Sequence, residues 1–438
     1  MTEVEVSLTG RESEFELEEI IYSMTDQTSL IVDFNSVFQR VSKYETHELL
    51  HKQHSVVRNP KMPRGVFRLM WDTILSNKRF AGYVVNRAKN GDHYWVFACV
   101  VPVEDKFISF RTKPVFRELF TKIEQIYLRV LEKERELQKP IDQASLGLEE
   151  LLKYVKGIGF ETYDEFWKWV FLNEFVERVR KFDLEKARVL LKDSKRAREL
   201  EYLYNTYLEF TLPLSRLVNA REKSFNLKGM AKALKQVSLN LSIRSKKIGD
   251  SGATLDCIST EIRRFSDYVD YHVETLDRSI NQLLSKFFDF TSWLLFALLP
   301  KEANLWRDNT RDCELVTKTD ISKSVLSRLN ELVRFELERY FEDGIHLRTD
   351  ELKSFADRFL RFEKNLNFIT VSGKAESSRL EDSDSFWALL GQVEEQAKLF
   401  NQMAFELSQL TVAMSQLIFA VSSSVSDEYQ NGANNYLQ

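Results

Sequence analysis

Residues 80–103, FAGYVVNRAKNGDHYWVFACVVPV, carry the reading that decides the fold. Two runs rich in aromatic and β-branched residues flank the polar KNGD. An Asn90-Gly91 pair between such runs is a strong hairpin signal, so two antiparallel strands are expected with a turn at 89–92. Working outward, KFISFRTK (106–113) reads as a further short strand, and SLIVDF (29–34) alternates as a strand does. Short helical pieces lie between. Residues 14–111 therefore read as a compact α+β domain whose late strands form an antiparallel meander, preceded by a flexible, acidic N-terminus at 1–13.

Beyond residue 112 the pattern becomes helical. Leu119, Ile123, Ile126 and Val130 recur at spacings of four and three, ahead of the charged EKERELQKP that stops at Pro140. Residues 112–140 thus read as a helical linker, or equally as a helix packed on its own domain. From 141 to 425 the chain reads as an all-α region. Leu227, Met230, Leu234, Val237 and Leu241 keep a heptad spacing up to IGDSG (248–252). Beyond that break, Ile258, Ile262, Phe265, Val269, Val273, Leu276, Ile280 and Leu283 continue it. Stripes on both sides of a glycine turn predict an antiparallel hairpin. Phe400, Met403, Leu407, Leu410, Met414, Leu417 and Val421 form a further stripe, and a second polar tip falls near 372–383. The polar tail, 426–438, is expected to be disordered.

The chain has 438 residues, 43% hydrophobic and 29% charged, with a formal net charge of −4. That balance supports buried cores and gives no reason to expect nonspecific nucleic-acid binding. Three scattered cysteines suit a reducing compartment. The first residues lack a signal-peptide core, and the longest apolar run, FFDFTSWLLFALLP (287–300), is interrupted by Asp289 and closed by Pro300. It falls short of the roughly 20 residues that span a bilayer, so a cytoplasmic location is expected.

HELLH (47–51) matches the spacing of a zinc-protease helix, with His47 and His51 as ligands and Glu48 as base. A third ligand is missing: between Lys52 and Val103 there is no glutamate, and the only acids are Asp72 and Asp92. Phosphate-binding loops, dinucleotide fingerprints and nucleophile elbows are also absent from the sequence. The chain reads as a non-enzyme.

Three stretches in order, SMTDQTSLIVDFNSVFQRVSKYETHELL (23–50), HSVVRNPKMPRGVFRLMWDTI (54–74) and FAGYVVNRAKNGDHYWVFACVVPV (80–103), resemble the PAS domain of bacterial aerotaxis receptors. The resemblance covers about 90 residues almost without gaps. It implies a five-stranded antiparallel sheet with short helices around a pocket, which in that family holds FAD non-covalently. Carried over to this chain, it implies that Arg58 meets ligand phosphate or ring oxygens, Asn86 bonds the ring edge and Trp71 walls the pocket. The chain departs from the family pattern at Asn59, where a histidine is usual, at Lys61, where an aspartate is usual, and at Phe80, which replaces a pocket tryptophan. Arg58, Asn59, Trp71, Phe80 and Asn86 are the candidate cofactor-binding residues.

LNLSIRSKKIGDSGATLDCISTEIRRFS (239–266) resembles the chemoreceptor signalling tip through Leu239, Asn240, Ile243, Gly249, Gly252, Glu261, Arg263 and Arg264. That implies a shortened relative of the receptor cytoplasmic region, a homodimer, and contact with a chemotaxis-type kinase or its coupling protein. Arg244-Ser245-Lys246-Lys247 replaces the family's E-A-A-R core and reverses a charge there. The resemblances imply a redox or energy sensor acting through helical packing. The alternative is a ligand-free PAS scaffold acting through protein contacts.

Overall fold

The computed structural model describes residues 7–306, 345–380 and 382–435, with single helical positions between 325 and 339. The chain divides into two compact units, Met1–Thr211 with Phe288–Leu337, and Leu212–Phe287 with Glu338–Gln438.

The first unit is built on a five-stranded antiparallel sheet of β1 (Ile21–Asp26), β2 (Ile31–Phe34), β3 (Phe80–Arg87), β4 (His93–Val103) and β5 (Lys106–Thr112). Their spatial order is β2-β1-β5-β4-β3. The expected hairpin pairs Phe80 with Val100 through to Arg87 with His93. Its loop is longer than a two-residue turn: of Asn90 and Gly91, only Gly91 takes a positive φ, +89°. A side chain at Gly91 would also collide with the carbonyl of Ser7. The Asp92 carboxylate accepts from Thr9 at 2.5 Å, Lys43 at 2.6 Å and Asn90 at 2.8 Å, tying the loop to the N-terminal segment. Thr9 and Ser13 also donate backbone N–H groups to Gly91 and His93. The segment expected to be flexible is therefore bound to the hairpin from Thr9 onward, and residues 1–6 lie outside the described residues.

Short elements α1 (Ser36–Ser42), α2 (Thr46–Leu49) and a 3-10 turn (His54–Val57) precede α3 (Arg64–Leu75). α3 begins after Pro63, and its first N–H groups need a partner from elsewhere. The buried Glu134 carboxylate provides it, accepting from Arg64 at 2.9 Å and Gly65 at 2.7 Å. Glu134 belongs to α4 (Arg117–Arg135), whose stripe of Leu119, Ile123, Ile126 and Val130 is buried as the spacing implied. Phe120 and Tyr127 lie against Trp95 and Tyr83 of the sheet, so this helix packs on its own domain and is not a free linker. Helices α5 (Pro140–Gly157), α6 (Tyr163–Lys181) and α7 (Leu184–Leu191) follow, then α8 (Ser194–Lys247).

α9 (Ala253–Leu305) ends in the first unit and passes through Pro300. Proline removes one helical hydrogen bond, but buried Phe296, Leu299 and Ala303 hold both flanks in register. Asp289, the charge inside the apolar run, pairs with Lys168 at 2.6 Å.

The second unit is built from two helical hairpins. Gly249–Gly252 joins α8 to α9 antiparallel, with Ser266 donating to the Ala231 carbonyl and Lys235 pairing with Asp267. α10 (Ile345–Ser377) is followed by α11 (Ser383–Asn435), the two packed as a second hairpin. Met230, Leu234, Val237, Leu241, Ile262, Val269 and Phe400 through Met414 are buried along their stripes. Phe265 meets Phe362 edge-on at 5.0 Å, linking the hairpins. α11 runs to Asn435, where a disordered tail was expected from 426; extending an existing helix costs far less than starting one. Leu227, Leu417 and Val421 lie outside the residues whose side chains are described, as do residues 436–438.

Candidate functional site

The sheet alternates as strands must. Tyr22, Tyr83, Trp95, Phe97 and Phe110 point to the outer face, where helices cover them. Ser23, Val84, Asn86, Ala98, Val100, Phe107, Ser109 and Arg111 point inward and line a cavity of about 210 Å3. The 3-10 turn contributes His54, and α3 contributes Phe67, Met70 and Trp71.

Of the five sequence candidates, Arg58, Trp71 and Asn86 line this cavity. Trp71 stands edge-on to Phe107 at 5.6 Å, and the Arg58 guanidinium lies 4.5 Å from the Phe67 ring centroid. Burial, then repulsion from Arg64, lowers the Arg58 pKa. Asn59 and Phe80 do not reach the cavity. Asn59 is buried in the turn before α3, where its side chain accepts from the Lys61 N–H at 2.9 Å and donates to the Asn86 carbonyl at 3.3 Å. Its short amide closes that turn and has no length left to reach further. Phe80, at the start of β3, stacks on Tyr163 of α6 at 5.8 Å. Gly82 leaves room for that pairing, since a side chain there would meet both rings.

Sequence reasoning missed the cavity's polar end. Arg111 is only 5% exposed. Its guanidinium donates to Ser23 Oγ at 3.0 Å and lies 2.7 Å from His54 Nε2. Among the described residues, none of those lining the cavity is acidic. Burial pushes Arg111 down to about 10. Burial, reinforced by Arg111, pushes His54 down to about 3, so the imidazole is neutral and Nε2 accepts from the guanidinium. Ser109 Oγ is buried in the cavity wall with no hydrogen-bond partner among the described residues. A buried cation without a carboxylate and an unsatisfied hydroxyl both cost stability unless a further group meets them. The chemistry of this cavity suits a ligand with an apolar face for Trp71 and Phe107, and with acceptor oxygens or negative charge for Arg111 and Ser109.

The HELLH stretch does not form a metal-binding helix. α2 stops at Leu49, and His51 takes a left-handed φ of 58°, so His47 and His51 do not share a helical face. Among the described residues, no three His, Cys, Asp or Glu side chains gather as a metal site requires.

Residues 31–108 match the model of the PAS fold family. The chain is 40% identical over 112 residues to the aerotaxis receptor of Escherichia coli (strain K12), covering 24% of this chain and 22% of the receptor. It is 29% identical over 84 residues to the nitrogen fixation regulatory protein of Klebsiella pneumoniae, covering 19% of this chain and 17% of that protein. Its N-terminal domain is a PAS domain, similar to that of the aerotaxis receptor. The chain spans only 22% and 17% of the lengths of these two relatives. Among solved structures, a LOV domain from an Erythrobacter litoralis blue-light activated histidine kinase aligns with a TM-score of 0.20 and 16% identity, covering 21% of this chain and 94% of its own. A PAS domain from Colwellia psychrerythraea aligns at 0.19 and 15%, covering 22% and 85%. Among the described residues no helix is long and apolar enough to cross a membrane.

Proposed function

We propose that this chain is a PAS-domain signal-transduction protein whose cavity holds a flavin, FAD, and whose helices relay the state of that ligand to a partner. The observation that carries the reading is the cavity's inner end: among the described residues, a buried Arg111 with no carboxylate beside it in the cavity wall, and a Ser109 hydroxyl with no partner. Both are left for a ligand to satisfy. The resemblance to aerotaxis receptors supplies the flavin as the ligand of that description.

Bound flavin would supply a ring that takes up and releases electrons. The protein's part is binding and readout. Arg111, Ser109 and Asn86 would hold polar ring atoms, Trp71 and Phe107 would cover the ring's apolar surface, and Arg58 would face the more polar remainder. Neutral His54 keeps Arg111 aimed into the cavity. A change in ligand charge alters the attraction to a cation in a low-dielectric wall, and a few kcal/mol of such difference suffices to shift a conformational population. A second copy of the chain and a chemotaxis-type kinase or coupling protein are the partners this reading names.

The test is a titration of purified protein with FAD, followed by quenching of flavin fluorescence. Saturable one-to-one uptake, weakened at least about tenfold in Arg58→Ala and Asn86→Ala, is expected. No uptake by the wild type would overturn the flavin reading.

A further inference from the structure

The strand that gives Phe107, Ser109 and Arg111 to the cavity ends at Thr112, and residues 113–116 lead directly into α4. That exit is held from α6. The Glu174 carboxylate accepts from the N–H groups of Val115 at 2.8 Å and Phe116 at 3.1 Å, and from the Tyr83 hydroxyl of β3 at 2.5 Å. One helical turn on, Arg178 is buried and its guanidinium donates to Glu302 of α9 at 2.5 and 3.1 Å. It also donates to the carbonyls of Leu17 and Glu18, just ahead of β1. Tyr207 of α8 donates to the same Glu302 at 2.7 Å. On the same helix, Phe171 stacks on Phe296 of α9 at 5.2 Å and meets Phe97 of β4 at 6.3 Å.

These contacts are costly to break singly. Releasing Glu174 would orphan two backbone donors, and separating Arg178 from Glu302 would leave a buried charge without its partner. A shift of β5 at Ser109 or Arg111 must therefore carry Val115 and Phe116 along, and Glu174 with them, or pay that cost. Phe171 is fully buried between these rings, and the cavity beside Glu174 and Arg178 is only about 10 Å3, so little free volume is left to absorb the movement.

We infer that Glu174 and Arg178 form a buried coupling element on α6, through which the state of the cavity reaches α8 and α9. The inference rests on reading the cavity as a ligand site, and gives that site its output route. Glu174 is a positioning residue: it touches no cavity atom and acts through the β5–α4 exit and Tyr83.

The test perturbs the cavity without relying on any ligand. Ala98→Leu places extra volume in the cavity from β4, and Val100→Phe is a second filler should the first fail to fold. Amide hydrogen exchange is read across 196–207 and 291–305 in the full chain, in the wild-type and Glu174→Gln backgrounds. The filler is expected to change exchange in both segments by about threefold or more in the wild-type background, and by much less with Glu174→Gln, whose exchange without the filler is measured as its own reference. A change confined to the strands and α3, or one undiminished by Glu174→Gln, would overturn the coupling. FAD uptake is scored separately. Loss of uptake with the exchange result intact removes the flavin and leaves the coupling, while normal uptake with no transmitted change does the reverse.

Discussion

On the outer face of the sheet, Arg178 is met by a carboxylate and two carbonyls, Glu174 by three donors, and aromatic side chains fill the space between. On the inner face, Arg111 has a serine and a neutral histidine, Ser109 has no partner among the described residues, and a cavity of about 210 Å3 remains. One sheet thus presents a face where Arg178 and Glu174 are met from within the chain and a face where, among the described residues, Arg111 has no carboxylate and Ser109 no partner. Both faces bury charge, but among the described residues only the inner one buries it without a carboxylate, and the proposed reading assigns that face to recognition.

The contrast can be broken most forcefully on the satisfied face. Arg178→Met leaves Glu302 buried without its cation and is expected to cost about 3–5 kcal/mol in urea unfolding, whereas Arg178→Met with Glu302→Leu should restore most of it. A single variant near neutral would mean the pair is not desolvated as described.

His54 sharpens the contrast through pH. Its folded pKa, about 3, lies below the ordinary 6.5. The unfolded chain therefore binds the extra proton, and stability present above 6.5 is lost as pH falls toward 3. Between pH 7 and 5 the wild type should lose about 2 kcal/mol more than His54→Gln, in matched denaturant titrations. Equal slopes would place the imidazole in water.

Arg111→Met tests the unsatisfied face. Removing a buried cation that lacks a carboxylate should leave the ligand-free protein as stable as the wild type, or more stable by about 1 kcal/mol, while weakening FAD uptake at least about tenfold. Marked destabilisation without ligand would assign Arg111 to the structure rather than to recognition.

Local signals in the sequence carried much of this. Asn90-Gly91 between alternating runs announced the hairpin, and the stripes along 230–241, 258–283 and 400–414 announced the helices around their tips. That Arg58, Trp71 and Asn86 line the cavity follows from the ordered motif they sit in. Arg111 was not, because KFISFRTK alternates like any half-exposed strand; its burial depends on pairing with β1, some 90 positions earlier in the chain. Phe80 was misplaced for a related reason. Strand parity puts it on the face of Val84 and Asn86, but Tyr163, 83 residues on, covers the strand's start and claims the ring. Glu174 and Glu302 read as ordinary helix charges until the fold brings Val115, Tyr83 and Arg178 to them.

The central claim is that the inner face is completed by a flavin. Its most direct test is the absorbance spectrum of the purified 438-residue chain, as isolated and after incubation with FAD and removal of the excess, with any released pigment identified after denaturation. The expected result is a flavin spectrum retained by the wild type and lost in Arg111→Met. A protein that is colourless as isolated, and stays colourless after incubation with FAD, would contradict it.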